Sequence, residues 1–244
     1  MRQAPAKRLL LRCALLLAGL AGASGALAAT NPGGSIAASN DYVLRGVSQN
    51  NHQPVVQLDL HLQPNDSWSV GVWASPVQPL PGKHSLEVDV YGQWRLPLGE
   101  AASATLGATW YSYPGDPRPV SYDYVEYSAG IGWHDRVSLH GYYAPRATLF
   151  STVYRVLVHR ATWSTELGFA QPLPRQYSAT AGLGYYDAVG LEHAGYAYGN
   201  LAVGRDFGRV HAALSYVAVA AAAHRGYTQG PAGRPLNLAL AWRF

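Results

Sequence analysis

The sequence predicts an all-β fold: a transmembrane antiparallel β-barrel of about 12 strands behind a cleaved signal peptide. Three observations carry this reading. Apolar residues recur at every second position in runs of 10 to 13 residues. Such runs exceed the ~5–6 residues usual in soluble strands and match a tilted membrane crossing. Connections between runs alternate between short and long, as turns and loops do at the two ends of a membrane barrel. The final run, from Pro235, places Leu236, Leu238, Leu240, Trp242 and Phe244 on one face, against Asn237, Ala239, Ala241 and Arg243 on the other. An apolar stripe ending on an aromatic ring suits a strand that faces lipid with its last ring at the membrane boundary.

At the N-terminus, Arg2, Lys7 and Arg8 precede a leucine-rich run from Leu9 to Leu20, broken by Arg12, and then small residues ending Ala26-Leu27-Ala28. A basic start, an apolar middle and a small-x-small exit make a secretory leader, with cleavage after Ala28 or Ala26. The domain division is therefore a signal peptide at 1–28 and a barrel at 29–244. Cys13, the only cysteine, leaves with the leader, so the mature chain has neither a disulfide framework nor thiol chemistry. Four basic and no acidic residues leave with it, which brings 18 Lys+Arg down to 14, equal to the 14 Asp+Glu. The mature chain is neutral overall, which argues against nucleic acid as a partner. No later stretch reaches 18 apolar residues, so no helix crosses a membrane.

The strands are expected at 36–48, 54–63, 67–76, 85–97, 101–112, 121–133, 137–145, 161–171, 176–187, 194–206, 209–220 and 235–244, with residues 154–158 a possible outward extension of the eighth. Val56 to Leu62, Leu86 to Leu96, Ala104 to Trp110, Tyr177 to Tyr185 and Val210 to Ala218 show the alternation most plainly. Pro64-Asn65-Asp66, Pro97 to Glu100, His134-Asp135-Arg136, Pro172 to Arg175 and Asp206 to Arg209 are tight turns. The longer loops are 49–53, 77–84, 113–120, 146–160, 188–193 and 221–234. Trp68, Trp94, Trp133 and Trp242 fall near the turns, and Trp110, Tyr122, Tyr124, Tyr143 and Tyr185 near the loops, as two aromatic belts would. Gly71, Gly107, Gly130, Gly132, Gly182 and Gly184 fall on the polar face, where they leave room inside a closed wall.

The lumen face carries Asp41, Arg45, Asp59, His61, Glu87, Asp89, Tyr91, Arg95, Glu126, His140, Glu166, His211 and Arg243. Six carboxylates stand there against three arginines. Buried charges need partners or water. The set reads either as a salt-bridged wall that holds the barrel's shape or as a pore lining with a slight cation preference. Arg45 is expected to reach across the first hairpin to Gln57 and Asp59, with Gly46 giving it room to swing. Lys83, Arg118, Arg146, Arg155, Arg160, Arg225 and Arg234 outnumber Asp116, Asp187 and Glu192 in the loops. Such loops either pair with the phosphates of outer-membrane lipids, lipopolysaccharide included, or form a solvated charged surface.

An enzyme is not indicated. His84 and Ser85 are adjacent and point to opposite faces of any strand. Ser138 and His140 share the lumen face, with no acid evident to orient the imidazole. The histidines lack metal-ligand spacing, and Gly182-Leu183-Gly184 lies in a strand, not before a helix, so neither a metal nor another cofactor is expected.

Three ordered motifs resemble a known family. They are Ser39-Asn40-Asp41-Tyr42-Val43-Leu44-Arg45-Gly46-Val47-Ser48-Gln49 followed by Pro54, then Gly71-Val72-Trp73-Ala74-Ser75, then Glu87-Val88-Asp89-Val90-Tyr91-Gly92. They are similar to the opening of the proteobacterial TorF-type putative porins. The resemblance covers residues 39–92 closely and the rest mainly through strand rhythm, Leu183 to Asp187 and Phe244; the stretch 146–160 departs from it. The inward-facing polar set is expected to line an outer-membrane channel for small polar solutes, with Arg45, Gly46, Glu87, Asp89 and Tyr91 as candidates for a lumen site; the resemblance itself implies an outer-membrane barrel with a channel label. It supplies no catalytic residues. The last strand also looks like the terminal signal strand of outer-membrane proteins, which makes Trp242 and Phe244 the candidate signal for the barrel-assembly machinery.

Overall fold

A computed structural model describes residues 31–80, 83–116, 121–151, 156–191, 195–221 and 235–244. The expected leader and, of the charges expected in loops, Arg118, Arg155, Glu192, Arg225 and Arg234 lie outside them. The strands are β1 (Asn31–Ser39), β2 (Val43–Leu44), β3 (Val47–Ser48), β4 (Val55–Gln63), β5 (Trp68–Leu80), β6 (Lys83–Leu98), β7 (Ala102–Ser112), β8 (Tyr124–Trp133), β9 (Val137–Ser151), β10 (Val156–Pro172), β11 (Tyr177–Ala188), β12 (Tyr196–Phe207), β13 (Val210–Val219) and β14 (Leu236–Arg243). Among the described residues, β1 and β4 to β14 form one closed antiparallel barrel of 12 strands, and β2 and β3 form a separate two-stranded sheet.

Closure falls on β1. One edge pairs with β4, from Asn31 opposite Gln63 to Ser39 opposite Val55. The other pairs with β14, from Ser35 opposite Arg243 to Ser39 opposite Ala239. Phe244 and Gly34 then exchange two backbone hydrogen bonds, each 3.1 Å. The last residue of the chain thus supplies part of the seam, and its ring packs over Gly34, where a Cβ would clash.

Exposure is inverted relative to a soluble protein. Leu183 is 69% exposed, Leu201 62%, and Leu58, Leu60, Leu106, Ile131, Leu139, Leu167, Leu214 and Leu238 also face outward. Asp59, Glu87, Asp89, Glu126, Ser164 and Ser215 are buried. A continuous apolar exterior around a polar interior is what a hydrocarbon solvent requires. Near the short turns, Trp68 and Trp94 stack at 6.2 Å and Trp242 packs on Phe244 at 4.9 Å. Trp110, Tyr143, Trp163 and Tyr185 lie exposed nearer the loops. These two bands are the interfacial girdles.

Three expectations are corrected. The first strand does not run over 36–48. It stops at Ser39, because the Asn40 side chain takes over the pairing with β14: its amide donates to the Leu236 carbonyl at 3.1 Å and accepts from the Leu238 amide at 2.8 Å. The main chain is then free to leave the wall. The expected loop 146–160 is largely ladder, since β9 runs on to Ser151 and β10 begins at Val156, with a register shift between Arg160 and Thr162 that bends the extension. Tyr124 joins no outer belt. It lies two residues from Glu126 on the same face and stacks inside the barrel on Tyr111, 4.5 Å between ring centres and 7° from parallel.

An arginine on the lipid face should therefore be costly. Leu201→Arg, in the middle of β12, is expected to lower folding stability by about 2–4 kcal/mol in lipid vesicles. Reversible urea titration followed by tryptophan fluorescence measures this.

Candidate functional site

The segment that leaves the wall after Ser39 folds into the barrel. Its turn is Arg45-Gly46, with φ of 49° and 81°. Two consecutive positive φ values between Leu44 and Val47 make the two-residue hairpin turn that suits strand twist. Gly46 fits for two reasons: its φ favours glycine, and a Cβ there would press on Tyr198 and Val219. Arg45 is the unusual member. A left-handed conformation costs a side-chain-bearing residue about 1–2 kcal/mol, a strain that persists only where surrounding contacts over-determine it.

Those contacts begin at the base of the hairpin. The Ser48 hydroxyl donates to Asp41 Oδ1 at 2.6 Å, and His52 Nδ1 lies 2.9 Å from Asp41 Oδ2. The Tyr42 amide donates to Asn50 Oδ1 at 3.0 Å, and the Gln49 amide to the Tyr42 carbonyl at 2.7 Å. Two bonds tie the base to the wall: Asn237 Nδ2 to the Asp41 carbonyl at 3.0 Å, and the Gln78 amide to the Gln49 carbonyl at 2.9 Å. Val47 packs with Tyr186 and Tyr196 in a buried hydrophobic cluster edged by Tyr198 and Val219. The hairpin therefore touches strands on opposite sides of the barrel and crosses the lumen at its loop end.

Arg45 makes the longest reach. Its Nη2 donates to Glu126 Oε1 on β8 at 2.8 Å, and both side chains are nearly buried. Its guanidinium carbon stands 5.2 Å from the Tyr142 ring centre and 5.6 Å from that of Tyr186. Both separations suit cation–π attraction. Burial alone would weaken the Arg45 charge, but the Glu126 carboxylate more than offsets it and holds the group above its ordinary range. The expected reach to Gln57 and Asp59 is therefore wrong. A hairpin tip crosses the barrel, whereas a strand residue could have met only its neighbours. Gly46 likewise is a turn residue and not a hinge for Arg45.

The other expected site residues separate into groups. Asp41 lies in the base of the hairpin, not on the wall. Glu87 accepts a hydrogen bond from the Tyr42 hydroxyl at 3.1 Å. Burial, and then Glu87 itself, raise the Tyr42 phenol well above its usual range, so it stays protonated and keeps donating. Asp89, two residues further along β6, points into the same lumen. Asp59 accepts from the Tyr91 hydroxyl at 2.8 Å and pairs with His61 at 2.6 Å. Gly71 lets the Tyr91 ring lie flat across its neighbouring strand. Glu166 accepts from Tyr198 at 2.6 Å. Arg95 stands apart at the turn end, paired with Asp135 at 2.9 Å.

Below the hairpin lies a cavity of about 600 Å³. Val43, Arg45 and Gly46 form its roof, and Asp135, Arg136 and Arg209 line its turn end. Its lining carries five carboxylates, Asp59, Asp89, Glu126, Asp135 and Glu166, and five guanidiniums, Arg45, Arg95, Arg136, Arg209 and Arg243. Glu126 holds Arg45, and towards the turns Asp135 holds Arg95 and Asp206 lies 3.5 Å from Arg243. The acid excess read from the strands is thus not a property of the whole lining. Sequence reading did not single out Tyr42, Tyr111, Tyr142 and Tyr198 as site residues. Period-two parity within each strand was the available signal for the wall tyrosines: Tyr111 shares a face with Thr109, Tyr142 with His140 and Tyr198 with Asn200.

A family model of bacterial proteins of unknown function, Gcw_chp, matches residues 22–237. The chain belongs to the Gcw_chp family. A comparison with curated proteins gives no match. Among solved structures, the barrel of this Gcw_chp protein is similar to the KdgM porin (TM-score 0.54, 9% identity, covering 87% of this chain and 98% of that one). It is similar also to the NanC porin (0.55, 8%, 87% and 99%) and to an outer-membrane channel from Pseudomonas putida F1 (0.51, 13%, 93% and 100%). At such identities the shared property is the fold, a porin-type barrel.

Removing one partner of a buried ion pair leaves the other uncompensated, at about 3 kcal/mol or more. Glu126→Gln should therefore release the hairpin on the order of 100-fold more often while the wall stays paired. Trypsin cleavage after Arg45 in the detergent-folded protein, followed by mass spectrometry, should accelerate accordingly, with the barrel's melting temperature nearly unchanged.

Proposed function

We propose that this protein is an outer-membrane channel for passive diffusion of small polar solutes, narrowed at its outer end by the folded-in hairpin. One observation carries the reading: a cavity of about 600 Å³, with charged and polar side chains among apolar ones in its lining, extends through the lumen from the hairpin to the turns. The porin-type fold supports it, as does the resemblance of residues 39–49, 71–75 and 87–92 to TorF-type putative porins. On this reading the short turns face the periplasm and the long loops the exterior. Filtering is steric and electrostatic, by side chains that undergo no chemistry. The carboxylates nearest the hairpin, Asp89, Glu126 and Glu166, against the single Arg45 favour cations slightly. A structure of the KdgM porin is in complex with disordered oligogalacturonate; a polyanion of that kind is a poor match for the carboxylates beside the hairpin. Lipids of the outer membrane surround the barrel, Trp242 and Phe244 serve its assembly, and the leader directs export.

A second reading, a closed structural or surface-binding barrel, has its own support in the hairpin that crosses the lumen. Proteoliposome swelling separates the two. Small sugars and amino acids should enter at a measurable rate with the wild type, and several-fold faster once residues 43–48 are replaced by a short glycine linker. Absence of swelling in both proteins would favour the closed barrel.

A further inference from the structure

The geometry points to a guanidinium-binding cage in the barrel wall, built from Glu126, Tyr142 and Tyr186, in which Arg45 sits as a tethered ligand that an incoming alkylguanidinium solute displaces. The displacement half of this inference rests on the channel reading; the cage itself does not.

The cage belongs to the wall, not to the hairpin. Its members come from β8, β9 and β11, which are hydrogen-bonded to one another through β10 whatever the hairpin does. Each is oriented by contacts that exclude Arg45; Tyr142 stacks on His140, with ring centres 6.2 Å apart. Tyr111 is fixed by its stack on Tyr124 and lies 3.5 Å from Glu126 Oε1 as a donor. Tyr186 packs on Tyr196, with ring centres 5.5 Å apart. A preorganised carboxylate with two aromatic faces is the chemistry that recognises a planar, weakly hydrated cation. A compact ammonium could not offer a flat face to the rings while bonding the carboxylate.

The occupant is already visible. Arg45 fills the cage at 2.8 Å from Glu126. It does so from a backbone position with φ of 49°, which asparagine or glycine would occupy with less strain. The chain tolerates that conformation in exchange for a guanidinium at this point. The Arg45 tether is short, so the group competes at an effective concentration in the millimolar range or above. A free solute of the same chemistry must therefore be abundant to open the wild-type hairpin. With Arg45 truncated, it should bind unopposed.

The test uses full-length mature protein in planar bilayers, with methylguanidinium chloride at about 10 mM as the probe and equal sodium chloride as the control. Arg45→Ala is expected to conduct more than the wild type and to lose about half of that current when methylguanidinium refills the cage. The double variant R45A/E126Q should ignore the probe. Saturation-transfer NMR on the same proteins in micelles gives a readout that needs no conductance. Transfer to the methylguanidinium methyl group should appear for Arg45→Ala and vanish for R45A/E126Q. If Arg45→Ala conducts but neither its current nor its NMR signal responds, the cage is refuted and the channel survives. If no variant conducts while the NMR contrast holds, the cage stands and the channel reading falls. If both measurements are silent, both are wrong.

Discussion

A strand wall in hydrocarbon can leave no backbone group unpaired. Water is absent there to satisfy an open sheet edge, and each orphaned amide or carbonyl would cost several kcal/mol. The chain meets the constraint by bringing its final residues against its first strand, so that Phe244 and Gly34 complete each other's hydrogen bonds. Once the ladder is closed, period-two alternation leaves no freedom. Every outward position meets acyl chains and every inward position meets the lumen, which explains why Leu201 is exposed while Glu87, 0% exposed, is buried. A 12-stranded wall is wider than the eight strands that side chains alone can fill. The remaining space is what the hairpin occupies.

The hairpin is held in a different manner from the wall. Wall strands are fixed by continuous ladders, so their energy is spread over many backbone bonds. The hairpin has a two-residue ladder, and its position rests on a few side chains: Asn40 and Asn237 at the base, Val47 among tyrosines, and Arg45 against Glu126. Concentrated contacts of this kind break together. A segment so attached can leave the lumen at far less cost than opening the barrel, which places it among the low-stability parts of a structure from which gates and binding loops come.

Most of the wall was legible in the sequence, and the hairpin was not. Alternation placed the ends of β4, β6, β7, β11, β12, β13 and β14 within about two residues, because a one-residue slip would turn every leucine inward. The failure at residues 36–48 has a definite cause. Tyr42 and Leu44 share the parity of the outward Ile36 and Ala38, and Asp41 and Arg45 fall on the opposite face, so periodicity alone extends β1. What ends it is a side-chain amide that imitates a backbone group and an Arg-Gly turn whose positive φ values no rhythm reports. Arg-Gly between two short apolar pairs was itself a hairpin signal, weaker than Asn-Gly because arginine is seldom the first residue of such a turn. The candidate site was half legible for the same reason. Parity put Glu126, Glu166 and Asp59 in the lumen, but the partner of Glu126 lay 81 residues away on a segment read as wall.

Among the contacts that hold the hairpin across the lumen, the Arg45–Glu126 ion pair reaches furthest, and a charge exchange isolates it. Single-channel conductance would be measured for Arg45→Glu, for Glu126→Arg and for the two combined. Each single variant, with like charges facing each other, is expected to conduct more than the wild type, and the combination to return towards the wild-type value by restoring an attraction of opposite polarity. Equal conductance in all four proteins would contradict that role for the pair.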